Sequence, residues 1–227
     1  MGQDRESIKK GIIQSTIMCI ERDGIQSLTT RSVAKEAGVN NAAINYYFGS
    51  KDKLLDETLK QITAHFFFDL QEILRVSQLS AYGLLQVILT YFLQGMIRYP
   101  NLIRAFFFAP FIYGKKGNTD FAQRFEDFLE RFAARLSKDS TDIVSDAKDK
   151  NYQGKLELMQ MISAIMAPGF SLDFFQDITG VNLRDPKVQT EYIQLLLENY
   201  LKRIDRKIVE GETEDVRRIL AQVLASR

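Results

Sequence analysis

The chain is poor in the residues that build covalent and metal frameworks. Its 227 residues include one cysteine, one histidine and no tryptophan. A single cysteine excludes an internal disulfide and a multi-cysteine zinc site. The scarcity of histidine and cysteine removes most nucleophilic triads, and no glycine-rich phosphate loop is present. We therefore expect no catalytic residue, no metal site and no cofactor, and we interpret the chain as a protein that is not an enzyme.

The chain also lacks a net charge of one sign, a targeting segment and a long apolar run. Thirty Lys and Arg against 29 Asp and Glu leave a net charge of +1, so any contact with nucleic acid must be local. The apolar run from Ala105 to Tyr113 is far shorter than the roughly 20 residues that cross a bilayer. The N-terminal stretch MGQDRESIKK has no apolar core of a secretory signal. We expect a cytoplasmic protein without a membrane partner.

Proline is rare as well, and four prolines leave room for long helices. Apolar residues recur at spacings of three and four, which is typical of amphipathic α-helices. A first helix runs from Ile8 to Gly24, and polar caps predict three more helix starts, at Thr29 or Thr30, at Asn40 or Asn41, and at Ser50. Further helices are predicted over 51–76, 81–98, 101–113, 119–136, 155–167, 187–209 and 213–225, whereas 138–155 is either a weak helix or a connection.

The stretch LTTRSVAKEAGVNNAAINYYF, residues 28–48, has the pattern of a helix-turn-helix. Ala34 lies where the two helices cross, and a larger side chain there would hold them apart. Gly38 is placed to adopt the positive φ that reverses the chain. Val39 and Ile44 complete a small core beneath. The sequence therefore predicts an all-α protein, with a three-helix DNA-binding domain over 1–50 and a larger helical ligand-binding and dimerisation domain over 51–227.

The exposed face of the third helix supplies the candidates for reading DNA. An asparagine amide can pair with adenine N6 and N7, and an alanine methyl group can touch the thymine methyl group. Hydroxyl, phenol and ammonium groups hold phosphates, which set register without reading sequence. For Asn40 and Asn41 the alternative is a capping role alone, and for Tyr47 and Phe48 we prefer packing on the small core. The predicted DNA-binding residues are Thr30, Arg31, Asn40, Asn41, Ala42, Asn45, Tyr46 and Lys51.

The run from Leu28 to Leu55 resembles the signature of the TetR family, with a threonine-led helix, an AGV turn, an aromatic pair and a KxxL start to the fourth helix. Two positions depart from it, because the common Leu-Tyr pair is Ile44-Asn45 here and the common His before the Phe is Tyr47. The first departure alters a position that often faces DNA. The resemblance implies an Ω-shaped homodimer, a C-terminal domain that binds a small effector, and release from operator DNA when the effector arrives.

Sixteen phenylalanines, several in consecutive runs, predict an effector pocket. Consecutive residues point in different directions around a helix, so some of these rings must line a cavity, an interface or solvent. Core packing remains the alternative for any one of them, as an ordinary helix position does for the only histidine. We expect a small apolar or amphipathic effector. The candidate pocket residues are His65, Phe68, Tyr91, Phe107, Phe111, Phe125 and Met161.

Two C-terminal helical patterns predict self-association. Residues 192–208 carry two adjacent apolar stripes, and residues 156–166 can supply the other half of an intersubunit four-helix bundle. The alternative is a pair of helices buried within one subunit. We favour a homodimer, because two reading heads match half-sites about 34 Å apart. The candidate interface residues are Leu158, Ile162, Ile193, Leu197, Tyr200 and Ile204.

These patterns together predict a transcriptional regulator, with repression more usual than activation in the family that it resembles. Its partners are a double-stranded DNA operator, a small-molecule effector and a second copy of the chain. The alternative is a helical module that binds apolar ligands or serves as an adaptor, with a vestigial N-terminal motif. Loss of operator binding on Asn45→Ala or Tyr46→Ala distinguishes the two.

Overall fold

The computed structural model describes residues 2–75, 79–105, 119–139, 147–201 and 213–225. Regular structure within these ranges is helical throughout, which confirms the predicted fold class. The helices are α1 Gly2–Asp23, a 3-10 turn Ile25–Ser27, α2 Thr30–Glu36, α3 Asn41–Phe48, α4 Lys51–Arg75, α5 Ala81–Arg98, a helical segment 100–105, α6 Thr119–Asp139, α7 Ala147–Gly169, α8 Leu172–Thr179, α9 Pro186–Leu201 and α10 Thr213–Ala225.

Most predicted helix ends lie close to the observed ones, and the differences have a common cause. Helix α1 begins at Gly2 rather than at Ile8, and α7 begins at Ala147 rather than at residue 155. In both cases the added turns are polar, and polar turns carry no apolar periodicity. The sequence predicts no helix over Leu172–Thr179, but the structure has helix α8 there, shortly after the end of α7.

Packing divides the chain into two compact units, which we call the head unit and the large unit. The head unit comprises Met1–Phe66 with Tyr99–Gly117, and the large unit comprises Phe67–Arg98 with Asn118–Arg227. This division differs from the domain boundary predicted at residue 50. The reason is that Leu54 and Leu55, at the start of α4, are buried in the same apolar cluster as α1 to α3.

The core of the head unit joins four helices to a short segment from the middle of the chain. Leu102 and Ala105 belong to the same buried cluster as Ile12 and Ile44. The first N–H groups of a helix have no partner within that helix. Here the Glu21 carboxylate accepts the backbone N–H groups of Asn101 at 3.3 Å and Leu102 at 3.0 Å, and the Asn101 amide donates to the Glu21 carbonyl at 2.8 Å. These bonds attach the end of α1 to segment 100–105.

The large unit is built around α5, which is buried on most of its surface and packs against α7, α9 and α10. Helices α6 and α7 lie closely against each other. A Cβ atom added at Gly154 would lie 3.3 Å from the Cβ of Ala133, so a small residue is required at this crossing. Across another contact of the unit, the side-chain amide of Gln94 on α5 donates to that of Gln189 on α9.

A proline inside α7 creates a second link between helices of the large unit. Pro168 has no N–H group, so the carbonyl of Ala164 lacks its usual helical donor. The hydroxyl of Tyr192 on α9 donates to that carbonyl at 2.7 Å. The tyrosine therefore compensates for the bond that the proline removes.

No single helix in the described ranges has both the length and the apolar composition needed to cross a membrane. Gly154–Gly169 and Leu172–Thr179 pass that test only as a pair bent by 89°. Leu158, Ile162 and Ile165 of this pair are buried in the core. The same part of the chain contains no group of three His, Cys, Asp or Glu residues that could hold a metal ion.

Candidate functional site

The helix-turn-helix is held by side-chain caps at the start of each helix. Thr29 and Ser32 form a reciprocal capping box, in which the Thr29 Oγ1 accepts the Ser32 N–H at 3.0 Å and the Ser32 Oγ accepts the Thr29 N–H at 3.1 Å. The Asn40 Oδ1 accepts the Ala43 N–H at 2.8 Å at the start of α3. Between them Gly38 adopts a φ of 66°, as predicted for the turn. The caps are therefore Thr29 and Asn40, one of each predicted pair.

Helix α3 presents two faces of opposite character. Ile44 and Phe48 are buried in the head core, at 0% and 7% exposure. The predicted reading residues lie on the other side and are all exposed: Asn41, Ala42, Asn45 and Tyr46. A rigid, capped helix with short polar side chains on its free face is suited to a major groove about 12 Å wide.

Two of the predicted DNA-binding side chains also have partners within the chain. The side-chain oxygen of Asn40 caps α3, and the Lys51 ammonium group donates to the Leu28 carbonyl at 3.0 Å. An ammonium group has three donors, so this bond fixes Lys51 in position and leaves donors for a phosphate. Thr30 is half-buried and Arg31 is exposed. Contact of each of these residues with DNA stays a prediction.

Sequence reasoning missed two cations that lie next to α3. The Arg5 guanidinium is 5.4 Å from the centre of the Tyr46 ring, and the Lys9 ammonium is 5.7 Å from that of the Phe48 ring. Lys9 also approaches the Glu57 carboxylate at 3.6 Å. Arg5 and Lys9 are one helical turn apart, a spacing visible in the sequence, but the first helix is predicted to begin only at Ile8. Arg5 thus adds positive charge beside the exposed face of α3.

The N-terminal part of the chain has clear sequence relatives. Residues 12–58 match the sequence model of the tetR family of bacterial regulatory proteins. The chain is 41% identical over 54 residues to the HTH-type transcriptional regulator BetI of Vibrio atlanticus, and 37% identical over 73 residues to BetI of Vibrio campbellii. The matched stretches cover 24% and 32% of this chain and only 27% and 36% of those relatives.

The fold extends the likeness to most of the chain. A TetR-family regulator from Haemophilus influenzae superposes with a TM-score of 0.57 at 16% identity, over 86% of this chain and 97% of that one. FadR from Bacillus subtilis, solved with stearoyl-CoA, superposes with a TM-score of 0.52 at 16% identity, over 82% and 96%. Over residues 12–58 this chain is thus similar to the TetR family, and its fold is similar to that of a TetR-family regulator. The TetR relatives named here are transcriptional regulators.

The predicted effector residues are spread over different environments. His65 and Phe68 are exposed, and Met161 is buried. Tyr91 is 2% exposed and donates its hydroxyl to the Asp69 carboxylate at 2.8 Å, so it is a core residue with a satisfied hydrogen bond. Phe125 is half-buried and stacks on Phe121, with 5.6 Å between ring centres. Phe107 and Phe111 lie outside the described residues.

A cavity in the large unit is lined by a different set of side chains. It has a volume of about 270 Å³, and none of the five predicted effector residues that the structure describes lines it. The prediction followed apolar helix faces, whereas three of the lining residues are arginines. The lining residues are Gln71, Leu74, Arg75, Arg131, Ala134 and Arg135.

The predicted dimer residues that the structure describes do not face outward. Leu158, Ile162, Ile193 and Leu197 are all 3% exposed or less within a single chain, and their role in an interface stays a prediction. Each belongs to the stripe that packs on the subunit's own core, which was the alternative. The side chain of Tyr200 and the whole of Ile204 lie outside the described residues. The exposed apolar residues of the same two helices are Tyr152, Leu156 and Met159 on α7 and Leu195 on α9.

Proposed function

We propose that this protein is a DNA-binding transcriptional regulator of the cytoplasm, a repressor that a small amphipathic effector releases from its operator. The observation that carries the proposal is the free face of α3. Asn41, Asn45 and Tyr46 are exposed on a helix whose opposite face is buried and whose start is capped. A helix of eight residues has little stability alone. Packing of its buried face on the core therefore holds the helix in place and keeps its other face exposed.

We assign the reading of bases to Asn41 and Asn45 and the holding of phosphates to Arg31 and Lys51. An asparagine that pairs with adenine contributes roughly 1–3 kcal/mol of discrimination against a wrong base. Phosphate contacts by cations add affinity that falls with salt. Arg5 joins the second group because its guanidinium lies over the Tyr46 ring, next to the reading face.

The proposed regulator acts as a homodimer through the exposed stripe of α7 and α9. Tyr152, Leu156 and Met159 follow one another at helical spacing on one face of α7. Leu195 is 62% exposed on α9, the helix that Tyr192 joins to α7. Apolar side chains of this size on two linked helices suit an interface with a second copy, as in a four-helix arrangement.

Effector control follows from a preference between two states of the dimer. An effector bound in the large unit shifts the equilibrium only as far as it binds one state more tightly than the other. If that state holds the two reading heads at a spacing that does not match the half-sites, DNA affinity falls. The measurable sign is a change in the distance between the heads on addition of effector, and an unchanged distance contradicts this mechanism.

The test is a fluorescence-anisotropy titration with duplex DNA from upstream of the protein's own gene, against a scrambled duplex, at low and physiological salt. We expect the upstream DNA to bind at least about 10³-fold more tightly. Asn45→Ala should weaken that binding by about tenfold to a hundredfold. Gln176→Ala, which removes an exposed amide on α8, is the matched control and should bind as the wild type does.

The other outcomes separate the alternatives. Equal binding of both duplexes, steeply dependent on salt, means phosphate attraction without operator reading. No binding to DNA at all supports the helical ligand-binding module instead. Normal operator binding by Asn45→Ala contradicts the assignment of α3 as the reading helix.

A further inference from the structure

This cavity of the large unit is formed by two helices that both contribute arginine. Gln71, Leu74 and Arg75 come from the last turns of α4, and Arg131, Ala134 and Arg135 from the C-terminal half of α6. At about 270 Å³ the cavity is at the small end of the range for drug-sized ligands, roughly 300–1,000 Å³. It therefore fits a compact chemical group rather than a large ligand.

The cavity carries more positive than negative charge. Arg75 pairs with the Glu72 carboxylate one turn earlier on α4, and the Arg135 guanidinium donates to the Leu79 carbonyl at 3.1 Å. Arg131 has neither an ion pair nor a hydrogen bond within the described part of the chain. The residues that line the cavity thus include three arginines and no Asp or Glu.

Helix chemistry accounts for only part of this cluster. The C-terminal end of α4 favours a cation, which explains Arg75. Arg131 and Arg135 are one turn apart on α6, and like charges at that spacing destabilise a helix by about 0.2–0.5 kcal/mol. A bound anion between the guanidinium groups removes that repulsion. Guanidinium groups match carboxylate and phosphate oxygens with pairs of parallel hydrogen bonds.

We propose that this cavity binds the carboxylate or phosphate group of an anionic amphipathic effector. Arg131 and Arg135 hold the oxyanion, and Leu74 and Ala134 contact the first carbons of the attached chain. The neutral amide of Gln71 supplies a further donor. Binding to this cavity stands on its own geometry, whereas the description of the ligand as an effector rests on the proposed function.

The experiment measures binding directly by isothermal titration calorimetry of the full chain without DNA, so its result does not depend on an operator. The probes share one eight-carbon chain and differ only in the head group: octanoate, octyl phosphate, octanol and octylammonium. We expect the two anions to bind and the alcohol and the amine to bind at least about tenfold more weakly. Octanoate and octyl phosphate show which oxyanion the site prefers.

Arg131→Gln tests the site without a loss of internal bonds, since Arg131 has none in the described structure. It should weaken binding of the preferred anion by about tenfold or more, because it removes a charged hydrogen-bond donor. Arg131→Lys keeps the positive charge but lacks the planar guanidinium group. Its affinity for the anion should lie between that of the wild type and that of Arg131→Gln. Arg217→Gln, an exposed arginine of α10 in the same unit, is the control and should bind as the wild type does.

Three results would overturn the proposal: no binding of either anion, binding of octanol as tight as that of octanoate, or equal loss in Arg131→Gln and Arg217→Gln. If the anion binds through Arg131 but does not release the operator duplex, the site does not serve an effector and that part of the proposal is wrong. Failure of operator binding itself leaves the calorimetric result unchanged, so the two proposals fail separately.

Discussion

Among single residues, Gly38 has the clearest energetic role, because it sets the turn between α2 and α3. Its φ of 66° lies in the left-handed region, and no atom lies within 4 Å of a Cβ added there. The cost of Gly38→Ala is therefore backbone strain alone, about 1–2 kcal/mol. We expect a lower free energy of unfolding for this variant, measured by urea denaturation followed by circular dichroism.

Gly11 provides the matched control for that prediction. It is exposed within α1, and a Cβ there also has open space around it. Alanine favours a helix interior over glycine by roughly 0.8–1.0 kcal/mol, so Gly11→Ala should raise the free energy of unfolding. The two identical substitutions then act in opposite directions. A stabilising effect of Gly38→Ala would contradict the role assigned to its φ.

The roles of single residues in the head unit could be predicted from sequence where their partners are close in the chain. The caps Thr29 and Asn40 act on residues three positions away, and local rules for helix starts find them. The contact of Lys51 with Leu28 and that of Arg5 with Tyr46 join residues 23 and 41 positions apart. Such contacts depend on how the helices pack, which periodicity does not specify.

At the scale of helices, the bond between α7 and α9 makes a prediction about stability and pH. Tyr192→Phe leaves the Ala164 carbonyl without a donor, which should lower the free energy of unfolding at pH 7 by about 1–3 kcal/mol. Burial also raises the pKa of Tyr192 above its ordinary value of about 10. Tyrosine in the unfolded chain ionises first as the pH rises, so this stabilisation is lost above about pH 10.

The free energy of unfolding of Tyr192→Phe should therefore fall less than that of the wild type between pH 9 and 11. The measurement is urea unfolding of both proteins at each pH. A residual decline is expected, since burial and the neighbouring Glu198 carboxylate also raise the pKa of Tyr82. Tyr46→Phe, at an exposed position of the head unit, is the control and should follow the wild-type curve.

Pro168→Ala distinguishes the proposed cause from a general effect of the substitution. An alanine restores the N–H group that the Ala164 carbonyl lacks. Pro168→Ala should therefore recover more stability in the Tyr192→Phe background than in the wild-type background. An equal effect in both backgrounds would mean that the two residues are not coupled.

Helix positions were more predictable than the use of helix faces. Both α7 and α9 carry two apolar stripes, and either stripe satisfies the periodicity that reveals the helix. The structure buries Leu158 and Leu197 and exposes Leu156 and Leu195, a difference of two residues along each helix. Only the packing against α5 decides between the stripes. The arginine cavity was not predictable for a similar reason, because its residues come from helices more than 50 positions apart.

For the whole molecule, the exposed stripe of α7 and α9 predicts the oligomeric state. Met159→Glu places a charge in the proposed interface and should convert the proposed dimer to a monomer, measured by sedimentation equilibrium at micromolar concentration. Its affinity for a two-fold symmetric operator should fall as well, because one head alone contacts one half-site. Met18→Glu, which replaces another exposed methionine, on α1, should leave the mass of the particle in solution unchanged. A dimeric Met159→Glu protein would refute this interface.

The bonds from Glu21 to segment 100–105 affect how such proteins can be recombined. The head unit is not one continuous stretch of chain, because Leu102 and Ala105 complete a core that begins with α1. A chimaera made by exchanging only residues 1–50 would set a foreign α1 against these two residues and remove the acceptor of the Asn101 and Leu102 N–H groups. During synthesis, residues 100–105 must likewise leave the ribosome before the core of the head unit can form completely. A graft of a different head unit onto this large unit therefore needs to include segment 100–105, or to keep Glu21 in the grafted helix.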